Sequence, residues 1–246
     1  MRTSNPMFND SMYDNTVLTE QPMTVNGTLN KLFLLAVIFS LSAGTIWYKF
    51  ALGNHDLVSI AFIISLFVSI VIALIVRFAP RFVPYLAPVY ALAEGVLLSA
   101  ISCYFEADFP GIVVKAVSIT FITLFSMFFL YRFRLIQATQ TFKCVLFVAT
   151  SSIFIFYLIS IIATWIFHVN IPYFNNSSDP LSIGINVFIA AIAALNLILD
   201  FDFIEKGAQR LAPKFYEWYG AFGLIVSIFW LYLEILRLLA RFSRNR

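Results

Sequence analysis

Four carboxylates, Glu94, Asp200, Asp202 and Glu234, stand inside long apolar runs of the chain. A charged side chain at bilayer depth costs roughly 2.5–3.5 kcal/mol on insertion scales, so an acid there needs a partner or a task. Two kinds of chemistry are open to it. Carboxylates held close together share a proton and so sense pH. The same oxygens, with backbone carbonyls, Asn196 and water, suit a hard cation such as Ca²⁺. The bland alternative is that each carboxyl is protonated and hydrogen-bonded to a neighbour. Other chemistries lack their residues. There is no HExxH, no GxSxG, no Walker loop, no Cys/His metal spacing and no Gly-Xaa-Gly-Asp of a membrane aspartyl protease. Residues 217–240 hold no lysine for a Schiff base. A non-enzyme without a cofactor is expected, one that handles ions or protons.

The elements that must position these acids are apolar helices. The 246-residue chain is 61% hydrophobic and 12% charged, against about 25% charged in a soluble domain. Its net charge of +3 implies no nucleic-acid partner, and Cys103 and Cys144 both lie in apolar runs. A helix crosses the hydrocarbon core in about 20 residues. Seven runs qualify, roughly 32–52, 57–76, 85–105, 112–131, 144–167, 181–203 and 217–240. The expected fold is an all-α integral membrane protein, one seven-helix bundle over 31–246 behind a disordered cytoplasmic tail, 1–30. The tail and the even-numbered connections carry Arg2, Lys31, Arg77, Arg81, Arg132, Arg134, Lys143, Lys206, Arg210 and Lys214, which places the amino terminus inside. Lys206, Arg210 and Lys214 are also within reach of anionic headgroups. Seven crossings leave Arg237, Arg241, Arg244 and Arg246 outside, against the same rule. Asn175 and Asn176 formally open glycosylation sequons in a polar loop.

Helix neighbours lie three and four apart. In the third run Ala87, Ala91, Gly95, Ser99 and Cys103 form a small-residue stripe that admits a second backbone, with Glu94 at its border. In the sixth, Ala190, Ala193, Asn196 and Asp200 share a face, and Asn196 is a neutral partner for Asp200. Asp202 points elsewhere, nearer the helix end. In the seventh, Gly220, Gly223, Ser227, Trp230 and Glu234 share a face that continues to Arg237 and Arg241.

The segments Leu231-Tyr232-Leu233-Glu234 and Phe201-Asp202-Phe203-Ile204-Glu205 resemble the last-helix and sixth-helix motifs of the Bax inhibitor family. Pro88-Val89-Tyr90-Ala91-Leu92-Ala93-Glu94-Gly95, the run Asn196 to Glu205, and the opening Ser4-Asn5-Pro6-Met7-Phe8 resemble a bacterial branch of it. The resemblance implies six helices around a central seventh and a pH-sensitive calcium leak in a bacterial plasma membrane. Its sensor, a carboxylate pair on helices six and seven, maps to Asp202 and Glu234, which would also be the Ca²⁺ ligands. Asp200 and Glu94 would assist, and Arg77 or Arg241 would lock the pair. Glu replaces Asp at 234, and the 32 residues from Asp202 to Glu234 exceed the familiar spacing by about two turns, roughly 11 Å. The alternative expectation is a non-conducting module that regulates another membrane protein, such as a protease.

Overall fold

The computed structural model describes residues 22–167 and 179–244. Asn175, Asn176, the Ser4–Phe8 motif and most of the expected tail lie outside the described residues. All seven expected helices are present: α1 (Val25–Ala51), α2 (His55–Phe78), α3 (Val83–Asp108), α4 (Ile112–Arg132), α5 (Gln140–Phe167), α6 (Pro180–Gln209) and α7 (Phe215–Arg244). Each is long and apolar enough to cross a membrane. A short 3₁₀ turn, Pro80–Phe82, leads into α3. The helices run in alternating directions, so one end of the bundle gathers the start of α1, the α2–α3, α4–α5 and α6–α7 connections (the near end). The far end gathers the α1–α2 and α3–α4 connections, the end of α5, the start of α6 and the end of α7.

The first helix begins at Val25, ahead of the expected boundary at 31. Thr24 explains the earlier start, because its hydroxyl accepts the Gly27 N–H at 2.9 Å and caps the helix. Residues 22–24 then run beside the α6–α7 connection. Met23 N–H donates to Ala212 O at 2.7 Å, and Met23 is buried against Gly207, where a Cβ would meet its sulfur at 2.7 Å.

The small-residue stripe of α3 is buried throughout, and it brings α1 close. A Cβ on Gly95 would fall 1.9 Å from Ser42 Oγ and 2.5 Å from Phe39 O, so the two backbones approach as only glycine permits. The last helix touches α1, α3, α4 and α6, as expected of a central element, but α3 shares the centre with it. Phe39 of α1 stacks on Phe229 of α7 at 4.5 Å, and Tyr90 of α3 meets Phe222 of α7 edge-on at 4.8 Å. By contrast, α5 lies on the bundle's edge, packing chiefly on α6.

Two near-end connections close with the same backbone device. Arg134 N–H bonds Tyr131 O and Leu135 N–H bonds Leu130 O; Leu211 and Ala212 repeat the pattern on Ala208 and Gly207. Such a cap needs a left-handed residue and usually employs glycine. Here Arg134 (φ 55°) and Leu211 (φ 53°) occupy it, which leaves no glycine to mark either helix end.

Candidate functional site

The acids fall into three levels along the bundle axis. At the near end Asp202, 5% exposed, pairs with Lys143 of α5 at 2.5 Å and with Lys206, one turn on, at 2.7 Å. Beside it Tyr131 donates to Glu205. Glu217, in the first turn of α7, pairs with Lys31 and accepts from Thr24 N at 2.9 Å and Thr24 Oγ1 at 3.0 Å.

One level deeper, Asp200 faces α7. Its Oδ1 would lie 3.5 Å from a Cβ on Gly223, and Ser227, one turn further, is its neighbouring hydroxyl. Asp200 Oδ2 is buried and has no hydrogen-bond partner among the described residues. Glu94 is buried on α3, facing α2. It lies beside Tyr90, whose ring meets Phe222, the residue before Gly223. Ser69 of α2 is its neighbour across the helix contact, near enough to interact but without a formed hydrogen bond.

Toward the far end Glu234 is 1% exposed and fully engaged. It accepts from Tyr157 Oη of α5 at 2.7 Å and Asn186 Nδ2 of α6 at 2.8 Å, and pairs with Arg237 at 3.1 Å. Arg241, buried, donates to Ser182 O at 2.5 Å. Ser102 and Tyr232 share a hydrogen bond at 2.6 Å.

This geometry corrects the expected sensor. Glu234 contacts Asn186, and Asp202 lies 16 residues further along the same unbroken helix, about 24 Å at 1.5 Å per residue. The two do not pair, and they form no shared Ca²⁺ site. The reason lies in α7 itself. It is already helical at Phe215, so the additional turns fall inside the span and carry Glu234 toward the far end. Among the described residues no group of three or more His, Cys, Asp and Glu gathers as a metal site.

The supporting residues also shift. Asn196 does not bond Asp200; it donates to Thr150 Oγ1 at 3.0 Å and Ile192 O at 2.8 Å. Arg77 is exposed at the end of α2 and pairs with none of these acids. Arg241 sits at the level of Ser182, 20 residues from Asp202 along α6, or about 30 Å, too far to lock it. The residues that do engage the acids, among them Lys143, Lys206, Tyr157, Asn186, Arg237 and Lys31, were not among the candidate site residues, nor was Glu217. One signal for two of them was present: Lys143, Thr150 and Tyr157 recur every seven residues on one face of α5.

Seven apolar helices, with acids buried between them and engaged by lysine, arginine, tyrosine and amide donors, define a multi-pass integral membrane protein. Residues 5–244, nearly the whole chain, match the family described as Bax inhibitor 1 like, and the chain belongs to that family. No curated protein and no solved structure matches it.

Proposed function

We propose that the protein is a proton-responsive cation leak of the Bax inhibitor type, with Asp200 as its titrating group. The observation that carries this reading is the unpartnered Asp200 Oδ2, buried between α6 and α7 and six residues, about 9 Å, deeper than Lys206. A buried carboxylate oxygen without a donor is costly, so a proton or a cation completes it, and exchanging one for the other couples pH to conduction. Calcium fits a hard oxygen donor. Gly223 and Ser227 supply space and a hydroxyl opposite. The ion pairs of Asp202 and Glu234 close the two ends. In this reading the bundle lies in a bacterial plasma membrane, with its basic near end in the cytoplasm.

The test is calcium flux into liposomes at acidic and at mildly alkaline pH. Asp200→Asn removes the pH response, whereas Asp202→Asn raises the basal leak and keeps it. An unchanged pH response in Asp200→Asn rejects the reading.

A second reading, a non-conducting module that binds another membrane protein, rests on one observation. Ala36, Ser40 and Gly44 form an exposed small-residue line on α1, and a Cβ on Gly44 would meet nothing within 4 Å. Stable co-purification of a partner, with no flux through the isolated protein, would favour it.

A further inference from the structure

The near end carries a cavity that the acids do not explain. It has a volume of about 280 Å³ and lies between the α4–α5 connection and the end of α6. Arg132, Arg134 and Lys206 line it, together with Tyr131, Asp202 and Glu205. The charges within it are unequal in their commitments. Asp202 already holds two ammonium groups, Lys143 and Lys206. Glu205 accepts from the Tyr131 hydroxyl and, at 3.3 Å, from Gln209. The guanidiniums of Arg132 and Arg134 have no hydrogen bond or ion pair among the described residues. Four cations thus surround two acids, and the surplus is two exposed guanidiniums that line one cavity. The wall also includes Thr139, whose hydroxyl accepts the Phe142 N–H at the start of α5, so the positive end of a 28-residue helix adds to the field.

Depth identifies the level of this cavity. Helix α4 has 21 residues, rising about 31 Å, which is close to the hydrocarbon thickness of about 30 Å. Its last residue, Arg132, therefore lies where lipid headgroups begin. The sequence alternates across the turn. Phe133 and Leu135, 70% and 71% exposed, stand outward while Arg132 and Arg134 line the cavity. Arg134 is held there by a left-handed backbone (φ 55°) that no glycine relieves. Apolar side chains beside a basic hollow at that level suit a molecule with an acyl part and a phosphate.

We propose that this cavity binds the phosphate of an anionic lipid headgroup, with Arg132 and Arg134 as its forked ligands. Arginine meets phosphate through paired, parallel N–H donors, which a lysine cannot reproduce. The two arginines set the selectivity: a headgroup with net negative charge gains most from them, whereas a zwitterionic headgroup carries its own neutralising cation.

The experiment uses the full chain in detergent micelles, titrated with phosphatidylglycerol, phosphatidylcholine or inorganic phosphate, and read by native mass spectrometry and by melting temperature. Wild type is expected to retain phosphatidylglycerol in preference to phosphatidylcholine and to melt higher with it. The double variant R132Q/R134Q weakens that binding by about thirtyfold. Should that variant not fold, R132K/R134K keeps the charge, loses the fork and binds with intermediate strength. Equal retention of the two lipids by wild type, or undiminished phosphatidylglycerol binding by R132Q/R134Q, overturns the proposal. Saturation by inorganic phosphate without lipid preference overturns the lipid assignment in favour of a free anion.

Discussion

Lys31 reaches from α1 to Glu217 of α7 and also lies over the Trp218 ring, 5.6 Å from its centre. Glu217 is 2% exposed, so its charge depends almost wholly on that ammonium and on two donors from Thr24. Removing one member of a buried pair leaves the other unpaired, which costs about 3–5 kcal/mol. Lys31→Ala is therefore expected to lower stability by about 3 kcal/mol, at the low end because Lys31 keeps some exposure. Lys31→Ala/Glu217→Leu should recover most of the loss, since it removes both charges. Thermal unfolding in detergent measures both variants, and a double variant no better than the single one would show that Thr24 and not Lys31 holds the contact. The same residue logic separates Asp200 from its neighbour. Two positions apart, Asp202 finds two lysines and Asp200 finds Gly223, because a helix turns them to different faces.

Helix α5 is attached in an unusual way for an apolar segment. Lys143, Leu146, Thr150, Ile153, Tyr157 and Ser160 alternate at three- and four-residue steps and form one seam. Of these, Lys143, Thr150 and Tyr157 bond Asp202, Asn196 and Glu234, so the polar contacts recur every second turn. The buried apolar part of the seam is small, led by Leu146 and Ile153. Interhelical hydrogen bonds within membranes average only about 0.6 kcal/mol, which makes α5 the helix most easily loosened. In a chain carrying Cys144→Ala, Thr150→Val/Tyr157→Phe should let a cysteine at the buried Ser160 react with a permeant maleimide, while Cys103, buried in α3, stays unlabelled. No gain in labelling would mean that Leu146 and Ile153 suffice. All seven elements were legible from hydropathy, and the α3 stripe from its four-residue repeat, because close packing of small residues leaves a periodic trace. The Gly223 and Ser227 stripe of α7 was legible, but not that Asp200 lies against it, since its expected partner was Asn196. The partners were not. Lys143 reads as a topology charge until α5 is laid on α6, and Tyr157 reads as one more aromatic. The Asp202–Glu234 pairing came from motif likeness, and it failed because likeness fixes residue types, whereas axial depth depends on where α7 begins.

At the scale of the molecule, the seven helices place the two ends of the described chain on opposite faces, with Arg237, Arg241 and Arg244 in the last turns of α7. Positive charge normally stays on the cytoplasmic side, and here the rule meets an internal answer. Arg237 is paired with Glu234, and Arg241 is buried on the Ser182 carbonyl. Arg244 lines a far-end hollow with Asp108. Side chains held inside the fold in this way present less free charge to orient the helix than an exposed cluster would. The near end, by contrast, holds Arg132 and Arg134 without partners among the described residues and Arg77 exposed. The expectation is that a carboxyl-terminal reporter active only outside the cytoplasm is active in the wild type. Glu234→Lys adds a cation and frees Arg237, so a fraction of its reporters should remain inside. A wild-type reporter found inside would mean that α7 enters and leaves by the same face, against the unbroken helix from Phe215 to Arg244.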